Sequence, residues 1–308
     1  MKHFATVERS LLVGHAISMV FGLAGLLIVL PHAELIVQLS EFGQYIFQWS
    51  MAGGGVVYMV LGTAAVAVYA CRQVGWRLWL SFMLPAVLLS LGSELLGTST
   101  GFPFGHYRYL AGLGYKIAGL VPFTIPLSWF YLGFSAYILA RVGLERFGWP
   151  RWLQLSLAIA LGSVLLTSWD FVLDPAMSQT LMPFWIWEQP GAFFGMPYQN
   201  FVGWLGTGIV FMTVATLLWP RRALNLSREQ LRFPLAIYLS NLTFATVMSL
   251  AAGFWVPVAL GIAVGVVPAI ALYAIACPQA ALLEDHLQEA VRTPLPTDTV
   301  PVSVASAK

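Results

Sequence analysis

The sequence contains few charged residues. Only 9% of its 308 residues are Asp, Glu, Lys or Arg, whereas 59% are hydrophobic. Soluble domains contain about 25% charged residues, so this composition excludes a soluble globular protein and indicates a polytopic membrane protein. The formal net charge of only +2 does not favour nucleic acid as a partner.

Cysteines, clustered histidines and nucleotide-binding loops are scarce or missing. The two cysteines, Cys71 and Cys277, are too few for a framework of disulfides, and we expect both to be free thiols on the inner side of the membrane. The five histidines are too far apart for the histidine boxes of membrane di-iron oxygenases. The sequence has no cysteine cluster for zinc or iron–sulfur and no phosphate-binding glycine loop. We therefore expect a site that needs neither a metal nor another cofactor.

Long apolar runs dominate the rest of the chain. A transmembrane helix needs about 20 consecutive apolar residues. The segments that qualify are 10–30, 46–70, 77–97, 119–140, 152–173, 200–219, 233–252 and 254–276. The first is too long for a typical signal peptide. The predicted fold class is all-α, a polytopic membrane protein of about eight helices joined on the outer side by loops rich in aromatic residues, Gly and Pro.

Shorter features complete the predicted organisation. Segments 34–43 and 227–233 are predicted to be interfacial helices, and Ser227 and Gln230 have the spacing of a capping box. Gly261 and Gly265 form G-x-x-x-G, which here favours packing inside the protein over a dimer contact. We expect residues 1–277 to form one transmembrane domain, and residues 278–308 to be a cytoplasmic tail that is largely disordered from about 293.

The distribution of basic residues predicts the orientation. With the N-terminus inside, 13 of the 15 Lys and Arg residues fall in inner segments, and only Arg108 and Lys116 fall outside. This bias is the one that the positive-inside rule describes. It predicts an even number of helices with both termini in the cytoplasm, in the cytoplasmic membrane of a bacterium.

Acidic residues in or next to the apolar helices are the best candidates for chemistry, because placing each one in a membrane costs about 2.5–3.5 kcal/mol on insertion scales. Glu94 and Asp170 lie about one turn inside the predicted outer ends of their helices. Asp174 lies at the membrane boundary, and Glu188 lies in the following loop. All four are predicted to be on the outer side.

The helix that carries two of these acids has a polar stripe. Ser163, Thr167, Asp170 and Asp174 recur at helical spacing on one face, and Trp169 lies beside them. A purely structural role is the alternative, in which Asp170 accepts hydrogen bonds from hydroxyl groups of neighbouring helices. Several acids on one side favour catalysis instead, because a buried neutral carboxyl group can donate a proton while a second, ionised one accepts a proton.

Two loops next to these acids are unusually aromatic. One contains Phe102, Phe104, Tyr107 and Tyr109, and the other contains Phe184, Trp185, Trp187, Phe193, Phe194 and Tyr198. A membrane-interface belt accounts for some of these rings, but aromatic faces also stabilise cations. Gln199 and Asn200 either orient a water molecule or cap the next helix. His106 is better suited to hydrogen bonding within its loop than to metal binding.

The motifs in these regions resemble those of a known family. They are "ELLGTSTGFPFGHYRY" at 94–109, "GLVPFTIPLSWF" at 119–130, "SWDFVLDPAM" at 168–177 and "WIWEQPGAFFGMPYQNFVGW" at 185–204. Over roughly residues 10–276 the chain resembles the carotenoid hydratases of the CruF type, which include the archaeal bisanhydrobacterioruberin hydratases.

This resemblance implies an activity, a cofactor-independent hydro-lyase reaction. Water is added to the terminal C1'–C2' double bond of an acyclic carotenoid end group, as in γ-carotene or lycopene, and a tertiary alcohol forms. The implied partners are a carotenoid in the bilayer, water and a glycosyltransferase that acts later on the alcohol. The catalytic candidates are Glu94, Asp170 and Asp174. The candidates for binding substrate are Phe102, Phe104, His106, Tyr107, Trp169, Trp187, Glu188, Phe194 and Asn200.

Two other classes stay open on the sequence. A proton-coupled transporter or lipid-binding membrane protein would use buried acids as proton relays, although transporter sites lie near the membrane midplane. Another prenyl-chain enzyme, a cyclase or an isomerase, would begin with the same protonation and differ only in what captures the cation.

Overall fold

The computed structural model describes residues 2–180 and 182–276, so the predicted tail and Cys277 lie outside the described residues. The helices are α1 (Lys2–Ala24), α2 (Ala33–Gln38), α3 (Glu41–Val74), α4 (Trp76–Thr100), α5 (Thr124–Leu144), α6 (Arg151–Ser178), α7 (Gln199–Leu218), α8 (Arg228–Ala251), α9 (Trp255–Leu260) and α10 (Val267–Ala276). The π-helical segment Gly25–Val29 extends α1, and the π-helical segment Gly261–Val266 joins α9 to α10. The strands are β1 (Tyr107–Tyr109), β2 (Lys116–Ile117), β3 (Val121–Pro122) and β4 (Trp185–Trp187).

Eight helices in the described part of the chain are long and apolar enough to cross a membrane. They are His3–Val29, Gly53–Val74, Trp76–Thr100, Thr124–Leu144, Arg151–Ser178, Gln199–Leu218, Arg228–Ala251 and Trp255–Ala276. Each overlaps one predicted segment, because a run of about 20 apolar residues can satisfy its backbone in a bilayer only as a helix. The predicted all-α, multi-pass membrane class is confirmed.

Several predicted boundaries differ from the structure, and three of the differences have a local cause. The helix expected over 119–140 begins at Thr124, because β2 and β3 pair antiparallel just before it. The interfacial helix expected over 34–43 is interrupted, since Ser40 caps α3 by accepting a hydrogen bond from the Gly43 amide at 3.2 Å. The predicted capping box at Ser227 and Gln230 is present, but the helix that it starts continues through Ala251 instead of ending at 233.

Glycines let the last membrane helix pack closely on α6. A side chain at Gly261 would begin 2.1 Å from Val172 Cγ2, and one at Gly265 would begin 2.7 Å from Ser168 Oγ. The G-x-x-x-G pair therefore serves packing inside the protein, as predicted. Helix α5 is the most buried of these helices, because 94% of its apolar spanning stretch is buried inside the protein.

The two aromatic loops lie together at one end of the bundle, which we call the loop end and define by residues 101–123 and 182–198. Strand β1 of the first loop pairs antiparallel with β4 of the second, with Tyr107 opposite Trp187 and Tyr109 opposite Trp185. The last turns of α4 and α6 and the first turn of α7 reach the same end. This arrangement brings the candidate residues of distant segments to one place.

Candidate active site

A cavity of about 300 Å³ lies at the loop end. Its walls come from α1, α3, α4, α5, α6, α7, α8 and both aromatic loops, and most of the lining side chains are apolar. The predicted site residues that line it are Glu94, Phe104, Tyr107, Trp169, Asp170, Asp174, Trp187 and Asn200. The structure therefore brings all three catalytic candidates into one cavity.

Glu94 is fully enclosed and surrounded by hydrogen-bond donors. Its side chain is 2% exposed. The Tyr107 hydroxyl donates to Glu94 Oε2, and the Tyr109 hydroxyl donates to the same oxygen at 2.9 Å. The Trp129 indole N–H donates to Oε1 at 3.0 Å. Three donors directed at one carboxyl group stabilise its ionised form.

The alternation of β1 explains why both tyrosines reach Glu94. Successive side chains of a strand point to opposite faces, so Tyr107 and Tyr109 are buried on the cavity side while Arg108 between them is exposed. Burial and the nearby Glu94 raise the pKa of both phenols well above its usual value. The two hydroxyl groups therefore keep their protons and act as donors.

Asp174 has the same kind of environment, supplied by β4. The indole N–H groups of Trp185 and Trp187 each donate to Asp174 at 2.9 Å, one to Oδ2 and the other to Oδ1. The Ser178 hydroxyl, one turn further along α6, lies 2.8 Å from the Asp174 carbonyl oxygen and 3.1 Å from Oδ1, so its one proton is shared between these two acceptors. The side chain of Asp174 is 2% exposed, and its three donors again favour the ionised form.

Asp170 differs from the other two acids in the number of its donors. Within the described residues, its only hydrogen bond comes from the Asn200 amide, whose Nδ2 lies 2.7 Å from Oδ2. The second carboxyl oxygen has no protein partner there, although the side chain is only 1% exposed and lines the cavity. Asp170 and Asp174 lie one helical turn apart on α6, and Glu94 lines the same cavity. This carboxyl group has the fewest donors to stabilise a negative charge.

Ser163 and Thr167 of the polar stripe on α6 do not donate hydrogen bonds to Asp170. The Thr167 hydroxyl donates to the Ser163 carbonyl oxygen at 2.8 Å, and Ser163 Oγ lies 3.5 Å from Met212 Sδ. The structural role considered for Asp170 required hydroxyl donors, and the structure shows an amide donor from α7 instead.

The aromatic rings of Phe104, Trp169 and Trp204 form part of the cavity wall. Trp129 stacks on Trp204 with centroids 4.1 Å apart and an interplanar angle of 21°, and Trp169 meets Trp204 edge to face at 5.9 Å. Phe104 packs between α4 and α7, where glycines at 97 and 203 leave room for its ring. These rings offer several π faces to a cation held between the acids.

Four predicted binding residues are not among the residues that line the cavity. Phe102 is 64% exposed, and Glu188 is exposed and forms an ion pair with Arg108 at 2.9 Å. His106 packs against the backbone of residue 101, and its amide donates to Gln189 Oε1. Phe194 meets Phe193 and Phe254 edge to face.

The cavity also contains residues that the sequence did not single out as binding residues. Tyr109 and Trp185 line the cavity and supply donors to the acids, and Trp204 completes the aromatic wall. Trp129 is buried behind the lining residues and donates to Glu94. All four lie inside the quoted motifs, so the motifs carried a signal for them. No feature of the sequence indicated that α1 and α3 line the cavity, because most of their lining residues are apolar residues and glycines that are common in membrane helices.

The chain is similar to proteins of carotenoid biosynthesis. Residues 54–268 match the family model described as "Carotenoid biosynthesis protein". The chain is 31% identical over 250 residues to the bisanhydrobacterioruberin hydratase of Haloarcula japonica, covering 81% of this chain and 80% of that protein. No solved structure matches the chain. The matched segment contains every cavity residue except those of α1 and the first part of α3.

Proposed function

The chain belongs to the carotenoid biosynthesis protein family, and on that premise we propose that it is a carotenoid hydratase. The proposed reaction adds water to the terminal C1'–C2' double bond of an acyclic end group such as that of γ-carotene or lycopene, and gives a tertiary alcohol. One observation carries the proposal: three buried carboxyl groups and a wall of indole rings enclose one mainly apolar cavity. The similarity to a hydratase supports the same reaction type.

Asp170 is the proposed proton donor. A general acid must be neutral before it reacts, and Asp170 has one hydrogen-bond donor where Glu94 and Asp174 have three each. In the first step the O–H bond of Asp170 breaks and a C–H bond forms at C2'. The electron pair of the double bond forms the new bond, which leaves a tertiary cation at C1'.

The environment then stabilises this cation. The ionised Glu94 and Asp174 supply negative charge, and the faces of Trp169 and Trp204 supply aromatic electron density. Hydrogen bonds position the two carboxylates before the reaction, and ring contacts position the two indoles, so little reorganisation is needed when the charge develops.

Water captures the cation in the second step. The water oxygen forms a bond to C1', and Asp174 accepts the proton that the water loses. Asp174 is proposed for this role because it lies one helical turn from Asp170, so the proton can return to Asp170 over a short path and reset the site. Protons balance over the cycle, and neither an oxidant nor a reductant is consumed.

Expression in a host that accumulates lycopene or γ-carotene tests the proposal. The expected product is heavier than the substrate by one water molecule and carries a tertiary hydroxyl group, the kind of group to which a later glycosyltransferase would attach a sugar. A host that expresses Asp170→Asn should accumulate unchanged substrate. A cyclised product of unchanged mass would show that an alkene captures the cation, and unchanged pigment with the unsubstituted protein would contradict the proposal.

A further inference from the structure

The cavity does not end at the carboxyl groups but continues between two membrane helices. Its lining includes Ser18, Met19, Phe21, Gly22, Gly25 and Leu26 of the first span and Trp49, Ser50, Gly53, Gly54, Val57 and Tyr58 of α3. Both sets recur at helical spacing, so each follows one face of its helix, and Gly55 and Met59 of α3 line the cavity beside that face. We call the space between these two faces the α1–α3 cleft.

The cleft exists because α1 and α3 pack tightly only away from the loop end. There, a side chain at Gly62 would begin 2.8 Å from the His15 ring. His15 is fully buried, with Nδ1 2.7 Å from the Tyr58 carbonyl oxygen and Nε2 3.0 Å from Asn241 Nδ2. Towards the loop end, side chains at Gly25, Gly53 and Gly54 would meet nothing within 4 Å. The space beside these three glycines is therefore open, and it forms the cleft.

The mouth of the cleft lies on the surface that would face lipid. Phe21, Trp49 and Val57 all line the cavity, and their exposed fractions are 54%, 65% and 43%. All three lie on helices that are apolar enough to span a membrane or on the direct extension of one. A molecule in the hydrocarbon layer can therefore reach the cavity sideways without crossing water.

The deep end of the same space is built to receive a ligand. Asp170 lies there with 1% of its side chain exposed and with one carboxyl oxygen free of any partner in the described residues. The cavity volume of about 300 Å³ is at the lower limit for small-molecule pockets, about 300–1,000 Å³. That volume suits one end group, whereas the long remainder of a polyene has to leave the cavity.

We propose that the α1–α3 cleft holds the polyene chain of the substrate, which enters end-on from the bilayer. The reacting end group lies among the carboxyl groups, the adjoining chain lies along Gly53 and Gly54, and the rest passes between Phe21 and Trp49 into lipid. This inference rests on the proposed function and adds the binding mode to it. It follows that the enzyme recognises the near end of its substrate and makes no contact with the far end.

Filling the cleft tests this binding mode. Gly53→Leu and Gly54→Leu add side chains to open space on a helix, where Leu is a better helix former than Gly, so both variants are expected to fold. Hydration of the full-length polyene should fall at least about 10-fold, the lower end of what a misfit in a hydrophobic pocket costs. Hydration of a short acyclic isoprenoid hydrocarbon with the same isopropylidene end should stay within about 2-fold of that by the unsubstituted protein.

Gly206→Leu is the matched control. Gly206 is an exposed helix glycine of α7 that also has nothing within 4 Å of an added side chain, and it does not line the cavity. This variant should hydrate both substrates normally. Three results would overturn the binding mode. The cleft variants could hydrate the polyene normally, or they could lose activity equally with both substrates. The third result is an unsubstituted protein that hydrates the polyene but not the short substrate. Hydration of neither substrate by the unsubstituted protein would instead overturn the proposed function.

Discussion

The three buried carboxyl groups share one cavity but differ in their hydrogen-bond donors. Glu94 and Asp174 each accept three hydrogen bonds from aromatic N–H and O–H groups or a serine hydroxyl, while Asp170 accepts one from Asn200. Donors that converge on a carboxyl group favour its anion. Different roles for chemically similar side chains therefore follow from the residues around them.

Asp170→Asn is predicted to abolish most activity. The amide keeps the shape of the side chain and still offers an oxygen to Asn200, but it has no acidic proton to deliver to the alkene. The rate of hydration should fall at least ~10²-fold, the lower end for general acid catalysis. The measurement is product formation at saturating carotenoid in membranes with equal amounts of protein. The control is Glu188→Gln, which changes an exposed acid outside the cavity and should keep the normal rate of hydration. A normal rate for Asp170→Asn would instead assign Asp170 a structural role.

Glu94→Gln is predicted to lose stability as well as activity. The amide nitrogen must face at least one of the three donors that now point at the carboxyl group, so one buried donor loses its acceptor. That costs about 1–3 kcal/mol of the free energy of unfolding. Asp170→Asn should be close to neutral, because one of its oxygens has no donor to lose. Thermal unfolding in detergent compares the two variants, and an equal loss of stability would contradict the difference in donors.

At the scale of elements, the pairing of β1 with β4 organises the site. The alternation of these strands turns Tyr107 and Tyr109, and likewise Trp185 and Trp187, towards the acids. The same alternation turns Glu188 to the outer face, where it meets Arg108. Two strands of three residues thus supply four of the six donors to Glu94 and Asp174.

Breaking this pairing is predicted to disable the site without unfolding the bundle. Proline lacks the backbone N–H that a strand needs for its ladder, so Ile186→Pro should displace the indole donors on both sides of it. Activity should fall at least about 10-fold, since hydrogen bonds to charged groups contribute about 1.5–3 kcal/mol each. Circular dichroism should report unchanged helix content, and Ile186→Val serves as the control. Full activity of Ile186→Pro would mean that the strands do not hold the donors in place.

The elements also show which parts of the site can be predicted from sequence. Membrane helices are local features, so their apolar runs predict all eight candidate spans found in the described part of the chain. The pairing of residues 107–109 with residues 185–187 joins distant segments, and "YRY" and "WIW" carry no local signal for a partner strand. The sequence groups Glu188 with Glu94 because both are acids near aromatic residues, but the direction of a side chain in a strand depends on that pairing.

At the scale of the whole molecule, the eight candidate spans in residues 2–180 and 182–276 and the distribution of basic residues predict the orientation. The loop end should face the outside and both termini the cytoplasm, because Arg108 and Lys116 are the only basic residues of that end. Reporter fusions truncated after Met182 and at Lys308 should give opposite signals for the side of the membrane. Identical signals at the two positions would contradict this topology.

The shape of the whole molecule contains the feature least visible in sequence. Acids inside apolar helices are rare and costly, so the amino-acid sequence alone identifies Glu94, Asp170 and Asp174 as a set. The sequence does not reveal the α1–α3 cleft, because an apolar residue looks the same whether it faces lipid, a neighbouring helix or an open space. Only the structure shows that nothing lies within 4 Å of a side chain added at Gly53 or Gly54.

Isotope labelling of the product tests the central claim of proton-initiated hydration most directly. In water enriched in heavy oxygen, the new hydroxyl group should carry the heavy isotope. In deuterium oxide, one deuterium should be found at C2', next to the carbinol carbon, because protonation there leaves the charge on the tertiary C1'. The reaction should need neither molecular oxygen nor a reductant. Heavy oxygen in the product that comes from labelled molecular oxygen instead of water would contradict this account.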